Sequence, residues 1–158
     1  MLRPQTLADV AQRARESPPE LYTALNEFAD EFYLDHPDKA AQQGRIDAIP
    51  EPAGEPLIDA LIGAVGEHLA QRWGLRVPDW TQRPVHFALE EPRFLPDSRA
   101  LRGALIVESP PAFRSRLLFT GAEPLDRARF PNVARARVPL DWPPRSDEPE
   151  PAAAPFRV

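Results

Sequence analysis

The sequence predicts a mainly α, single-domain protein of four to five helices with one short β-hairpin, followed by a proline-rich tail that is disordered in isolation. Three observations predict it. Two helix-start signals, Thr6-x-x-Asp9 and Ser17-Pro18-Pro19-Glu20, each precede apolar residues spaced three and four apart. A long apolar stretch begins near Pro56 and closes at Gly74. The last twenty residues hold six prolines and the acidic patch DEPEP. The expected division is a helical domain over residues 1–138 and a disordered tail over 139–158.

In the first helix, over residues 7–15, Thr6 is placed to cap the N-terminus, and Leu7, Val10, Ala11 and Ala14 share one face. For the second, Ser17 is the expected cap. Pro18 stands at the first helical position, where its missing N–H costs nothing. The helix then presents Leu21, Leu25, Phe28 and Phe32 inward and Glu20, Glu27, Glu31 and Asp35 outward. It should stop near His36-Pro37, because a residue before proline is pushed out of the α region.

Residues 42–56 hold two glycines and three prolines and read as a loop. From Pro56 the next helix carries Leu57, Ile58, Leu61, Ile62, Val65 and Leu69 on its apolar side. Gly74 stands where a left-handed residue closes a helix, with Leu75 placed to fold back over the last turn. A second strip of this helix holds Ala60, Gly63, Ala64, Gly66 and Ala70. Glycine inside a helix costs about 1 kcal/mol relative to alanine. Two of them fit either a closely approaching element, from this chain or a partner, or neutral drift.

Prolines at 78, 84, 92 and 96 forbid a long helix after Val77. The run VHFAL (residues 85–89) reads as a short strand or extended loop. Ser98 is expected to cap a helix over residues 99–108 with Leu101, Leu105 and Ile106 inward. Ser109-Pro110-Pro111 starts a further turn. Residues 117–120 read as a strand, 123–129 as a short helix, and ARARV (134–138) alternates like a strand.

With 158 residues and 42% hydrophobic content, the chain can bury a core without staples. It has no cysteine, which excludes disulfides, thiol nucleophiles and cysteine-type zinc sites. No apolar run approaches the roughly 20 residues of a membrane span, and the N-terminus has no apolar leader core. A soluble, cytoplasmic protein is the expectation.

The net charge of −5 is unevenly spread. Residues 1–79 carry seven basic and fourteen acidic side chains, and residues 80–158 carry twelve and ten. Nine arginines stand between positions 93 and 137 against four acids. Either the two halves face each other in the fold, or the basic strip meets an acidic partner or nucleic acid. Four phenylalanines interleave with the arginines, a mixture that can contact phosphate and stack bases. The acidic total and the lack of a basic recognition helix speak against nucleic acid.

The chemistry of common enzymes is absent. No phosphate-binding glycine loop, G-x-S-x-G elbow or H-E-x-x-H pair occurs, and the three histidines are single and far apart. His68 reads as a half-buried structural residue. Glu27, Asp30, Glu31 and Asp35 read as a solvated acidic face. A small carboxylate- or metal-dependent enzyme built on Glu27 and Glu31 is the alternative. No cofactor or resident metal is implied.

Three segments carry a resemblance: LNEFADEFY (25–33), GEHLAQRWGLRVPDWTQRPVHF (66–87) and RALRGALIVESPPAFRSRLLF (99–119). Together they resemble a family of small bacterial helical proteins, some of them antitoxin-like or regulatory and paired with a neighbouring gene. The resemblance implies a partner-binding role and brings no catalytic residues with it. The expectation is therefore a non-enzymatic protein with a protein partner. Homo-oligomers are compatible with it. The candidate contacts are Trp80, Arg93, Phe94, Arg114, Arg116 and, at the tail end, Phe156.

Overall fold

The computed structural model describes residues 2–131. Within them lie α1 (Leu7–Glu16), α2 (Leu21–Leu34), α3 (Lys39–Asp47), α4 (Pro56–Trp73), α5 (Arg102–Glu108) and α6 (Pro111–Arg114), with strands β1 (Arg93–Phe94) and β2 (Leu118–Phe119). The fold is mainly α, as the hydrophobic spacing predicts. The tail over 139–158 and the ARARV segment lie outside the described residues.

α1 starts as its sequence dictates. The Asp9 amide donates to Thr6 Oγ1 at 3.2 Å, while the Thr6 amide donates to the Asp9 carboxylate at 3.0 Å, a reciprocal capping box. α2 starts differently. Ser17 makes no side-chain cap, and Pro18–Glu20 forms a 3₁₀ turn that leads directly into Leu21. Glu20 instead pairs with Arg13 of α1.

α4 is the axis of the molecule. Every residue from 58 to 66 is buried, so the helix is covered on all sides. α1, α6 and two 3₁₀ turns, Asp79–Gln82 and Pro84–Phe87, pack on it. It ends as read from the sequence: Gly74 is left-handed at φ 68°, and the Leu75 amide donates to the Ala70 carbonyl at 2.8 Å, a Schellman closure. At its start, the buried Asp59 carboxylate accepts the Ala53 and Gly54 amides at 2.8 and 3.2 Å and shapes the preceding loop.

Four expectations are corrected. Residues 42–47, read as loop, belong to α3, which Asp38 caps through the Ala41 amide. Residues 85–87 are 3₁₀ rather than strand, because Pro84 opens a turn whose His86 amide closes on the Arg83 carbonyl. Residues 123–129 form turns, not a helix. β1 and β2 pair in parallel, Arg93 beside Leu118 and Phe94 beside Phe119, so they make no hairpin and are joined through α5 and α6.

The two charge halves do close on each other. Arg116 pairs with Glu67 and Arg127 with Asp30, joining the basic strip to the acidic helices α4 and α2. No helix among the described residues is long and apolar enough to cross a membrane.

Candidate functional site

Two of the anticipated contact residues are inside the molecule. Trp80, expected at the surface, is buried, and its indole N–H donates to the Ile46 carbonyl at 2.9 Å. That bond ties the Asp79–Gln82 turn to α3. The Arg116 side chain is 0% exposed. Its guanidinium donates to the Glu67 carboxylate at 2.6 Å, the Ala112 carbonyl at 2.7 Å and the Thr81 carbonyl at 2.7 Å, and lies 4.2 Å from the centre of the Phe87 ring. Burial pushes its pKa below the ordinary arginine value, and the Glu67 carboxylate opposes that shift. Glu67 and the two carbonyls replace the water lost by its terminal nitrogens, while its buried Nε has no partner among the described residues.

These side chains explain the glycines of α4. A Cβ on Gly63 would meet His86 Cβ at 2.6 Å, and one on Gly66 would meet the Trp80 ring at 2.9 Å. The close approach comes from this chain's own 3₁₀ turns. His86 bonds through Nδ1 to the Asp59 carbonyl at 2.7 Å. Burial holds the pKa of this imidazole below the usual histidine value, partly offset by the Asp59 carbonyl. Trp80, His86 and Arg116 thus form a scaffold between α4, α3 and α6.

The remaining anticipated residues lie outside that scaffold. β1 carries Arg93, which is exposed, and Phe94, which is half-buried. Phe94 stacks on Phe119 with ring centres 5.2 Å apart, and the Arg102 guanidinium of α5 lies 4.9 Å from the centre of the Phe94 ring. Beside them opens a groove of about 450 Å³, lined by Leu57, Glu91, Arg93, Phe94, Leu95 and Arg102, among others. Arg114 is exposed at the end of α6. Phe156 lies outside the described residues.

The outer edge of β1 is poorly suited to strand addition. The Arg93 and Leu95 amides both turn to the β2 strand, donating to Leu117 and Phe119 at 2.8 Å. Phe94 therefore points its N–H the other way, and neither Pro92 nor Pro96 has one to offer. Recognition at this edge must rest on side chains.

α5 supplies them. Its sequence RGALIVE buries only Leu105. Leu101, just before it, is 46% exposed, Ile106 48% and Val107 77%. Leu101 and Ile106, expected inward, are thus corrected to the surface. The reason is geometric: Ser98 makes no side-chain cap, the first turn is 3₁₀, and of α5 itself only Leu105 is buried. Sequence reasoning missed this face because its apolar spacing is the same as that of a buried helix.

The acidic face of α2 is not simply solvated. Glu27 pairs with Arg13 at 2.6 Å, Asp30 with Arg127 at 3.0 Å, Glu31 with Arg3 at 3.1 Å, and Asp35 with Arg45. Four segments dock on it. The hydrogen-bonded Arg127 guanidinium holds the Asp30 carboxyl below its usual pKa. Among the described residues, no three histidine or carboxylate groups converge on a position that would hold a metal. His68 is buried edge-on against Phe113, its ring 5.6 Å away, and desolvation with nearby Arg72 pushes its pKa down to about 4. The basic strip is likewise partly consumed, since Arg102, Arg116 and Arg127 are all in ion pairs.

No family model matches the chain, and no curated protein or solved structure resembles it at a significant level.

Proposed function

We propose that this chain is a non-enzymatic, partner-binding protein of the regulatory, antitoxin-like kind, and that it holds a protein partner on the face formed by β1 and α5. One observation carries the reading: Val107 is exposed and Ile106 and Leu101 about half exposed, on α5 and the turn before it, where Leu105 is the one fully buried residue of the helix. Exposed apolar side chains on one short helix are candidates for contact with a partner. The neighbouring groups suit such a contact. Phe94 and Arg102 form a fixed aromatic–cation platform, and aromatic and arginine side chains are enriched where partners bind tightly. Arg93 has no ion pair among the described residues and is available to a partner carboxylate. The antitoxin-like character rests on the resemblance of the three segments quoted above.

The partner is a protein whose own apolar side chains cover Ile106 and Val107 and whose acidic group reaches Arg93. Affinity capture from a lysate of the native host, with wild-type protein beside Val107→Asp and Ile106→Asp, tests this. The reading expects one stoichiometric protein with the wild type and its loss with both variants, their melting temperatures being unchanged. Equal capture by all three, or no stoichiometric protein at all, would overturn it.

A further inference from the structure

A second, smaller pocket shares Leu95 with the β1 groove. It has a volume of about 160 Å³ and lies between α2, α4 and the segment that follows β2. Its floor is core: Leu25, Leu61, Val65 and Phe113 are all buried and all line it. Its rim is polar, with Tyr22 and Asn26 one helical turn apart on α2 and Glu123 across from them. An apolar cavity of about 150 Å³ is enough to take up a benzene-sized ligand. The pocket therefore fits one ring or one branched chain, and not a drug-sized molecule.

The charge of the rim selects among such ligands. Glu123 is the one charged residue lining the pocket among the described residues, and no arginine or lysine lines it. Arg72 donates through Nε to Glu123 Oε1 at 3.0 Å, and the second carboxylate oxygen accepts no hydrogen bond from the described residues. The segment bearing Glu123 is itself held in place. The Tyr33 hydroxyl donates to the Leu125 carbonyl at 2.8 Å, and the Thr120 amide donates to Ser109 Oγ at 2.7 Å. Burial and the nearby Glu55 raise the pKa of the Tyr22 phenol, so it stays a neutral hydroxyl able to accept from a cation.

We infer that this pocket binds a small amphiphilic amine, a single-ring or branched-chain group bearing an ammonium. The apolar body rests on Leu25, Leu61, Val65 and Phe113. The ammonium donates to Glu123, with the Asn26 side-chain carbonyl and Tyr22 hydroxyl as its other acceptors. An isosteric carboxylate would place its charge against Glu123 and be rejected. The inference is independent of the partner-binding face.

Protein-observed NMR titration of the full chain tests it with three probes of similar size: 2-phenylethylamine, 2-phenylethanol and phenylacetate. The expected order is amine over alcohol by about tenfold, the size of one charge-assisted hydrogen bond, with phenylacetate unbound. The amine's shifts should centre on Leu25, Leu61 and Val65. Glu123→Gln, at an exposed position, should abolish the preference for amine while leaving alcohol binding in place. Asn26→Trp, which blocks the mouth from the solvent side of α2, should abolish both. Equal binding of the three probes, no binding of the amine, shifts centred elsewhere, or an amine preference that survives Glu123→Gln would each overturn the proposal.

Discussion

Gly63 lies directly beneath His86: a Cβ at position 63 would stand 2.6 Å from His86 Cβ and 3.0 Å from Arg116 Nε. The neighbour that would have to move is anchored, since His86 Nδ1 is bonded to the Asp59 carbonyl on the same helix. Gly63→Ala should therefore destabilise the protein by about 2 kcal/mol or more, despite alanine's better helix propensity. Urea denaturation measures it directly, and a stabilised variant would show that the 3₁₀ turn does not sit as described.

Arg116 should be among the costliest polar side chains to remove. Arg116→Met deletes the bonds to Glu67, Thr81 and Ala112 and leaves two carbonyls and a carboxylate to find water. Breaking a buried pair from one side costs roughly 3–5 kcal/mol, and the partial exposure of Glu67 puts this case near the lower end. The same denaturation experiment should show a loss of about 3 kcal/mol, whereas a loss below about 1 kcal/mol would contradict the buried placement.

Stability should fall on mild acidification. The folded state holds His68 at a pKa of about 4, against 6.5 for the free side chain, so below pH 6.5 the unfolded chain binds a proton that the folded chain refuses. The contribution of His68 is fully present above pH 6.5 and is lost as pH falls towards 4, at up to about 1.4 kcal/mol per pH unit for one proton. His86 is shifted in the same direction and adds to the slope. His68→Phe should flatten the curve of unfolding free energy against pH in that window. An unchanged slope would place the titration elsewhere.

Val107→Asp should leave the fold intact. The side chain is 77% exposed and makes no core contact, so its replacement should change stability by no more than about 0.5 kcal/mol. The same variant should bind less of an exposed-hydrophobe dye than the wild type. A large loss of stability would mean that α5 packs on the domain and is not free to meet a partner.

The parts of the fold that the sequence disclosed are those with local chemistry. The Thr6–Asp9 box, the 4-3-4 spacing of α2 and the Gly74 closure are each determined within a few residues, and each is present. α3 was hidden because only Gln42 and Ile46 of it are buried, so it lacks an apolar stripe. The site was less legible still. Trp80 and Arg116 looked like surface groups because much of what covers them is distant in sequence. Their covers are Ile46, Gly66, Glu67 and Thr81, all distant in sequence for at least one of the pair. α5 misled in the other direction, since apolar spacing reports which side chains share a face but not whether another element lies against it.

On the proposed function, a protein partner covers the β1–α5 face. Hydrogen–deuterium exchange on the isolated complex, compared with the free chain, tests it most directly. Exchange should slow at residues 93–95 and 101–108, with α1 and α3 unchanged. Protection confined to other segments, or none on the β1–α5 face, would contradict it.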